Sequence, residues 1–288
     1  MGLATNQAQL VEIAVTGNIS QPSLRYPGYT IGSDGLSRVL PGMSGIAYNA
    51  RVGDPAFGWA GDHVEPGVSI AHPDEAADFA LHYLTCIGNR AIVTSGLAKG
   101  AVGIATGEHA RLLIDFPPDV NESLCVGDSI QIIACGRGLA FTNYPHIELK
   151  KCSPSLINSL PLQAVDDWRI RVPVTMELPP RIMGSGSELN SEYVDQDLMS
   201  GDRALMAELG IDRMRLGDLV AIPDADHRYG RGYRAGAVTI ALCIHGDSVM
   251  TGHGPGIQTL MTCPEPRIEW VIDPNANIAH YLRIREVS

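Results

Sequence analysis

Three short stretches of this chain gather side chains that can hold a metal ion or move a proton. The first is Gly53-Asp54-Pro55-Ala56-Phe57-Gly58-Trp59-Ala60-Gly61-Asp62-His63-Val64-Glu65-Pro66-Gly67. Its four glycines and two prolines hold the backbone on a defined path. Asp54, Asp62, His63 and Glu65 supply oxygen and nitrogen donors beside Trp59, a common construction for a small-molecule site. On an extended backbone His63 and Glu65 share a face and Asp62 points the other way. The competing reading is structural, with Asp62 capping a turn and His63 satisfying backbone carbonyls.

The second stretch is Pro223-Asp224-Ala225-Asp226-His227-Arg228-Tyr229-Gly230. Asp224 and Asp226 share a face if extended, so they can bind a divalent cation together beside His227. A polar Asx-type turn explains the same residues equally well. In the third stretch the apolar run 237–244 delivers His245, and Gly252-His253-Gly254-Pro255-Gly256 presents a second imidazole. Glycines packed around a histidine suit a close approach of backbone to ligand. A lone histidine on an apolar strand is more often a satisfied core residue, but two of them near Asp247 favour a site.

These clusters lead to one expectation and two rivals. The leading expectation is a metal-dependent hydrolase acting on amide or related C–N bonds of a small molecule. Asp62, His63, Asp224, Asp226, His245 and His253 would ligate a divalent ion that activates water and polarises the carbonyl. Glu65 would act as general base, with His63 and His253 in catalysis. Trp59, Asp54, Tyr229 and Ser185 would line the substrate pocket. The first rival is a metal-free lyase or isomerase with His63 or His253 as proton shuttle. The second is a non-enzymatic binding module whose ligand contacts include Lys99.

Several chemistries lose their basis. The sequence has no phosphate-binding G-x-x-x-x-G-K-[ST] loop, no G-x-G-x-x-G fingerprint, no G-x-S-x-G elbow and no H-E-x-x-H pair. The six cysteines form no C-x-x-C pair, so they read as reduced thiols of a cytoplasmic protein. A net charge of −11 repels phosphate backbones, which excludes nucleic acid as an expected partner. No basic region leads into an apolar stretch at the N-terminus, and the apolar run 237–244 is too short to span a bilayer, so neither secretion nor a membrane partner is expected.

The elements that must position these residues are read from composition and pattern. With 31 Gly, 19 Pro and only 18% charged residues, a coiled coil, a disordered chain and a helical bundle are all disfavoured. The expected class is α+β and β-rich, with small barrel-like lobes and a few short helices. The low charge also points to covered apolar surface and hence to a homo-oligomer. Strands are expected at 10–15, 46–52, 81–87, 90–94, 102–106 and 111–116, and a short helix at 74–79. Ser153-Pro154 opens a helix running to about Leu160, and a second covers 202–209 with Gly210 closing it. An N-terminal lobe at 1–150 and a C-terminal lobe at 151–288 follow from the polar, proline-containing interval near 150–167, unless the chain is one compact unit. Residues 124–132 and 214–222 share an apolar-x-apolar-Gly-Asp-x-apolar-x-apolar pattern, a hint of duplication or simply of one recurring turn. The polar stretch Met183-Gly-Ser-Gly-Ser-Glu-Leu-Asn-Ser191 reads as surface linkage or a loop over a site.

Two resemblances complete the reading. Ser95-Gly96-Leu97-Ala98-Lys99-Gly100 and the flanking strands resemble the KOW motif, placing an SH3-like barrel segment at about 90–135, with acidic surroundings that favour architecture over RNA binding. Gly45-Ile-Ala-Tyr-Asn49, the long 52–69 segment and Gly252-His-Gly-Pro-Gly256 resemble the bacterial family known as domain of unknown function 4438. That likeness spans nearly the whole chain. It implies a soluble, β-rich bacterial protein and carries over no catalytic residues.

Overall fold

The computed structural model describes residues 3–22, 24, 30–186 and 195–285. Six strands form a closed antiparallel barrel: β1 (Ile13–Ile19), β2 (Gly67–Ala71), β3 (Arg90–Val93), β4 (Val102–Glu108), β5 (Leu112–Asp115) and β6 (Ser129–Ala134). Their order is β1-β6-β3-β4-β5-β2, and β2 returns to β1 through Asn18↔Ala71 and Ile19↔Ile70. Closure leaves the sheet no open edge. Alternating side chains such as Val15, Ile19, Val68, Ile70, Ile130 and Ile132 fill the interior, as the two-residue period of a strand requires.

Helix α1 (Glu75–Leu84) begins where the Asp74 carboxylate accepts the Ala77 N–H, and it plugs the barrel with Leu81. The helix overruns the expected 74–79, so residues 81–84 are not a strand. Leu-His-Tyr-Leu fits either period, and the cap with one buried face decides for helix. Gly17, expected to end the first strand, lies inside β1. A Cβ there would sit 2.8 Å from Leu81 Cδ2, so this glycine admits the helix. Of the expected strand 46–52, only Ile46–Ala47 pairs. The 90–135 segment does not close by itself, because its barrel needs β1 and β2 from upstream.

The C-terminal part adds β7 (Ile170–Val174), β8 (Met183–Gly186), β9 (Asp195–Leu198), β10 (Leu219–Ala225), β11 (Tyr233–His245), β12 (Gly256–Cys263) and β13 (Ile268–Ile272). Met176–Glu177, β10, β11, β12, β9 and β8 lie side by side in an open sheet, while β7 and β13 pair in parallel in a smaller one. Helix α2 (Pro154–Ser159) is capped by Ser153 Oγ, and α3 (Arg203–Glu208) by Asp202 with Gly210 in the left-handed region. One core draws Leu113 and Phe141 together with Leu219 and Leu260, so the two parts share an interior. Among the described residues no helix is long and apolar enough to cross a membrane. No two of the six cysteines are joined by a disulfide.

The repeated Gly-Asp pattern is one turn used four times. Asp128, Asp218, Asp54 and Asn89 each accept, on a side-chain oxygen, the N–H three residues earlier, at distances of 2.7–2.9 Å. The preceding Gly127, Gly217, Gly53 and Gly88 all take φ between 87° and 96°, where a Cβ is strained. The pattern therefore reports turn chemistry wherever a strand or loop is entered this way.

Candidate metal centre

Where the barrel meets the open sheet, six side chains that could hold a metal ion converge. His63 comes from the loop before β2 and His109 from the β4–β5 hairpin. Asp195 and Asp197 come from β9, His245 ends β11, and His253 lies in the β11–β12 connection. Their ligand atoms fall into two groups, His63–Asp197–His253 and His109–Asp195–His245, each with its atoms within 4.8 Å of one another. In the first, His253 Nδ1 lies 2.5 Å and His63 Nε2 3.4 Å from Asp197 Oδ2. In the second, His109 Nε2 is 3.6 Å from Asp195 Oδ2 and His245 Nε2 is 3.5 Å from Asp195 Oδ1. Asp197 Oδ1 also lies 3.2 Å from His245 Nε2.

Local geometry explains how these groups meet. Strand alternation turns Asp195 and Asp197 to one face of β9 and Gln196 to the other. His245 faces Gly256 across the β11–β12 ladder, just after an irregularity in register. A Cβ at Gly256 would collide with His245 Nε2 and come 2.5 Å from Asp195 Oδ1, so only glycine leaves room for the cluster. His63 takes φ +52°, a left-handed conformation costing roughly 1–3 kcal/mol outside glycine. Its N–H donates to the Asp247 carbonyl, while the Asp62 and Glu65 N–H groups donate to Pro41 and Gly42, which clamp the strained turn.

The far sides of three of the four rings face a carboxylate or a carbonyl. Glu65 Oε1 accepts from His109 Nδ1 at 2.8 Å, Asp62 Oδ2 faces His63 Nδ1 at 3.3 Å, and His245 Nδ1 donates to the Gly246 carbonyl at 2.8 Å. Carboxylates and carbonyls behind imidazoles fix the ring and its tautomer in metal sites. Glu65 is fully engaged, since it also accepts from Ser44 N–H and Ser69 Oγ. Asp62 accepts from Ser248 Oγ and Val249 N–H.

Charge is concentrated here. Burial opposes protonation of His245, but Asp195 and Asp197 outweigh it and lift its pKa well above the usual histidine value. Burial likewise opposes ionisation of Asp197, yet His245, His253 and His63 hold it below the carboxylate range. Asp62, despite burial, is brought down to about 2 by His63 and Ser248. His245 Nε2 and Asp195 Oδ1 are buried with no hydrogen-bond partner among the described residues. Such orphaned atoms are costly unless something satisfies them, and a cation between them does so. Imidazole with carboxylate suits zinc, manganese, iron or cobalt.

Of the expected ligands, His63, His245 and His253 meet in this centre. Asp62 stands behind His63 as its orienting partner. Asp224 and Asp226 do not join it. Asp224 sits at a register shift with φ +56° and accepts Gly236 N–H, and Asp226 pairs with Arg228. The bulge breaks the alternation on which their shared face depended. Glu65 orients His109, with its acceptor positions occupied, and so is not placed as a general base.

Among the pocket residues, Ser185 does reach the centre, with Oγ 3.2 Å from His253 Nε2. Trp59 instead bonds the Pro55 carbonyl and lines a cavity of about 650 Å³ that includes none of the six converging residues. Asp54 closes a turn and pairs with Arg285, and Tyr229 is exposed beneath Arg228. Ser187–Ser191 of the polar stretch lies outside the described residues. His109, Asp195 and Asp197 escaped the sequence reading. The signals available were the alternation Asp195-Gln196-Asp197 and a histidine, His109, in the short link between the strands expected at 102–106 and 111–116.

A closed six-stranded barrel fused to an open sheet, with a histidine–aspartate centre in the seam, defines the class of protein. Residues 29–158 match the model "Domain of unknown function (DUF4438), N-terminal", and 159–282 match its C-terminal counterpart. The chain belongs to this family, as its glycine and histidine motifs indicated. A solved structure titled "Crystal structure of TM1086" is similar at 40% identity and a TM-score of 0.92, covering 98% of this chain and 99% of the other. A search of the curated proteins found no match.

Proposed function

We propose that this protein is a metal-dependent hydrolase that cleaves an amide or related C–N bond in a small molecule. The observation that carries this reading is the orientation of the imidazoles. Each turns a nitrogen toward the Asp195–Asp197 pair, His109 and His245 have the other nitrogen hydrogen-bonded to a carboxylate or carbonyl, and His63 Nδ1 faces the Asp62 carboxylate. A bound divalent ion would polarise the scissile carbonyl and lower the pKa of water toward 7. Glu65 and Asp62 keep the rings aimed, and Ser185 supplies a hydroxyl beside His253 at the accessible side of the centre.

A cavity of about 580 Å³, large enough for a small molecule, is lined by Ser185, Gln196, Arg231 and Tyr233 and by none of the six converging residues, so the Ser185 hydroxyl beside His253 is its link to the centre. Arg231 and Tyr233 favour a substrate with an anionic group and a planar part. The lack of disulfides supports a reducing, cytoplasmic setting, and exposed Trp168, Val271 and Ile272 support self-association, which light scattering checks.

The test is hydrolysis of a panel of small amides, lactams and ureas before and after exhaustive chelation. Activity should vanish on chelation and return with zinc, manganese or cobalt. Full activity in metal-free protein overturns the metal, and no C–N cleavage by loaded protein overturns the reaction. The short contact between His253 Nδ1 and Asp197 Oδ2 favours a second reading, a metal-free lyase or isomerase with His253 as proton shuttle. Elemental analysis separates the two.

A further inference from the structure

We infer that the centre holds two divalent ions bridged by the Asp197 carboxylate. This rests on the metal half of the reading above and deepens it. The two ligand groups are not alternative descriptions of one site, because they share no residue, and Asp197 of the first also turns its other oxygen to His245 of the second. Oδ2 faces His63 and His253, while Oδ1 faces His245 at 3.2 Å. A carboxylate used through both oxygens joins two neighbouring ions, the arrangement of hydrolytic sites with metals about 3.5–4 Å apart.

Charge balance points the same way. Asp62, Glu65, Asp195 and Asp197 bring four negative charges into the cluster, and all but Asp195 are buried. The nearby basic groups with described partners are engaged elsewhere, Lys151 with Glu108 and Arg203 with Asp247. Imidazoles that ligate metal are neutral. Two divalent ions cancel the four charges, whereas one leaves a buried excess of two, which is costly. The orphaned His245 Nε2 and Asp195 Oδ1 belong to the second group, so an ion in the first group alone leaves them unsatisfied.

The experiment is to strip the full-length protein and titrate it with Mn(II), measuring bound metal by elemental analysis and coupling by electron paramagnetic resonance. Saturation at about two ions per chain with an exchange-coupled spectrum is expected. His109→Ala and His253→Ala should each halve the stoichiometry and leave an uncoupled ion. Saturation of wild-type protein at one ion, or two uncoupled ions, overturns the bridge. One ion with intact C–N hydrolysis would sink this inference and leave the proposed function standing. Two coupled ions without hydrolysis would do the reverse. Because the wild-type titration decides the matter, a variant that fails to fold does not shield the idea.

Discussion

Glu108 and His109 are adjacent in sequence yet belong to two buried polar clusters of opposite character. Glu108 Oε2 meets Lys151 Nζ at 2.9 Å and His82 Nδ1 at 3.3 Å, and the Lys151 ammonium also donates to the His82 carbonyl. That cluster contains its own cation. His109 instead joins imidazoles and the carboxylates Asp62, Glu65, Asp195 and Asp197, which pair with no lysine or arginine among the described residues. The contrast separates a buried ionic group that closes on its own lysine from one whose carboxylates have imidazoles as their only ionic partners among the described residues, the one proposed above to receive metal. His227 shows a third solution: burial without charge, with Nδ1 against Thr259 Oγ1 at 2.8 Å and its N–H on Thr262 Oγ1.

The sharpest way to break the comparison is to remove the resident cation. Lys151→Met should cost about 3–5 kcal/mol in urea unfolding, because it strands a buried carboxylate. Adding Glu108→Gln should recover most of it. If the single and double variants lose the same stability, the cluster is not self-neutralising. The uncharged solution is tested by pH. Burial pushes His227 down to about 4, with Asp226 opposing and Arg231 assisting. The unfolded chain, with an ordinary value near 6.5, therefore binds the proton first. Stability should be full above pH 6.5 and fall by roughly 3 kcal/mol as pH drops toward 4. His227→Gln should flatten that limb of the stability profile, and an unchanged slope would refute the assignment.

The receptive cluster should respond through affinity. Glu65→Gln weakens the hold on His109 and should lower zinc affinity about 10–100-fold in a competition titration. A dissociation constant unchanged within about twofold would end the positioning role, since even the low end of that range is tenfold. Smallest of all, Ser153→Ala removes the cap of α2 and should cost about 1 kcal/mol. That loss should be the same with and without chelator, because the cap belongs to neither cluster. A chelator-dependent loss would couple α2 to the centre.

Legibility in the sequence followed local determination. The caps at Asp74, Ser153 and Asp202, the closing Gly210 and the β4–β5 hairpin were readable because neighbouring residues alone specify them. His63, His245 and His253 were readable because glycines crowd around them, a trace of tight packing against ligand groups. Asp195 and Asp197 carry no such mark, since their role comes from β9 lying beside β12, a pairing set by the sheet. Asp224 and Asp226 misled for the converse reason: their alternation is real in the sequence but is interrupted by a bulge that only the β10–β11 register reveals. Barrel closure was hidden likewise, because β1 meets β6 across more than a hundred residues, as the pairing Ile13↔Ala134 shows.

The same remoteness sets a timetable. His63 and His253 are separated by 190 positions. During synthesis the first half of the centre must therefore wait until residue 253 has emerged before its counterpart exists. Long-range strand pairings already make such a topology slow to fold. The metal ion proposed above would then be a late arrival, with no complete ligand set to enter until both halves of the centre have folded together.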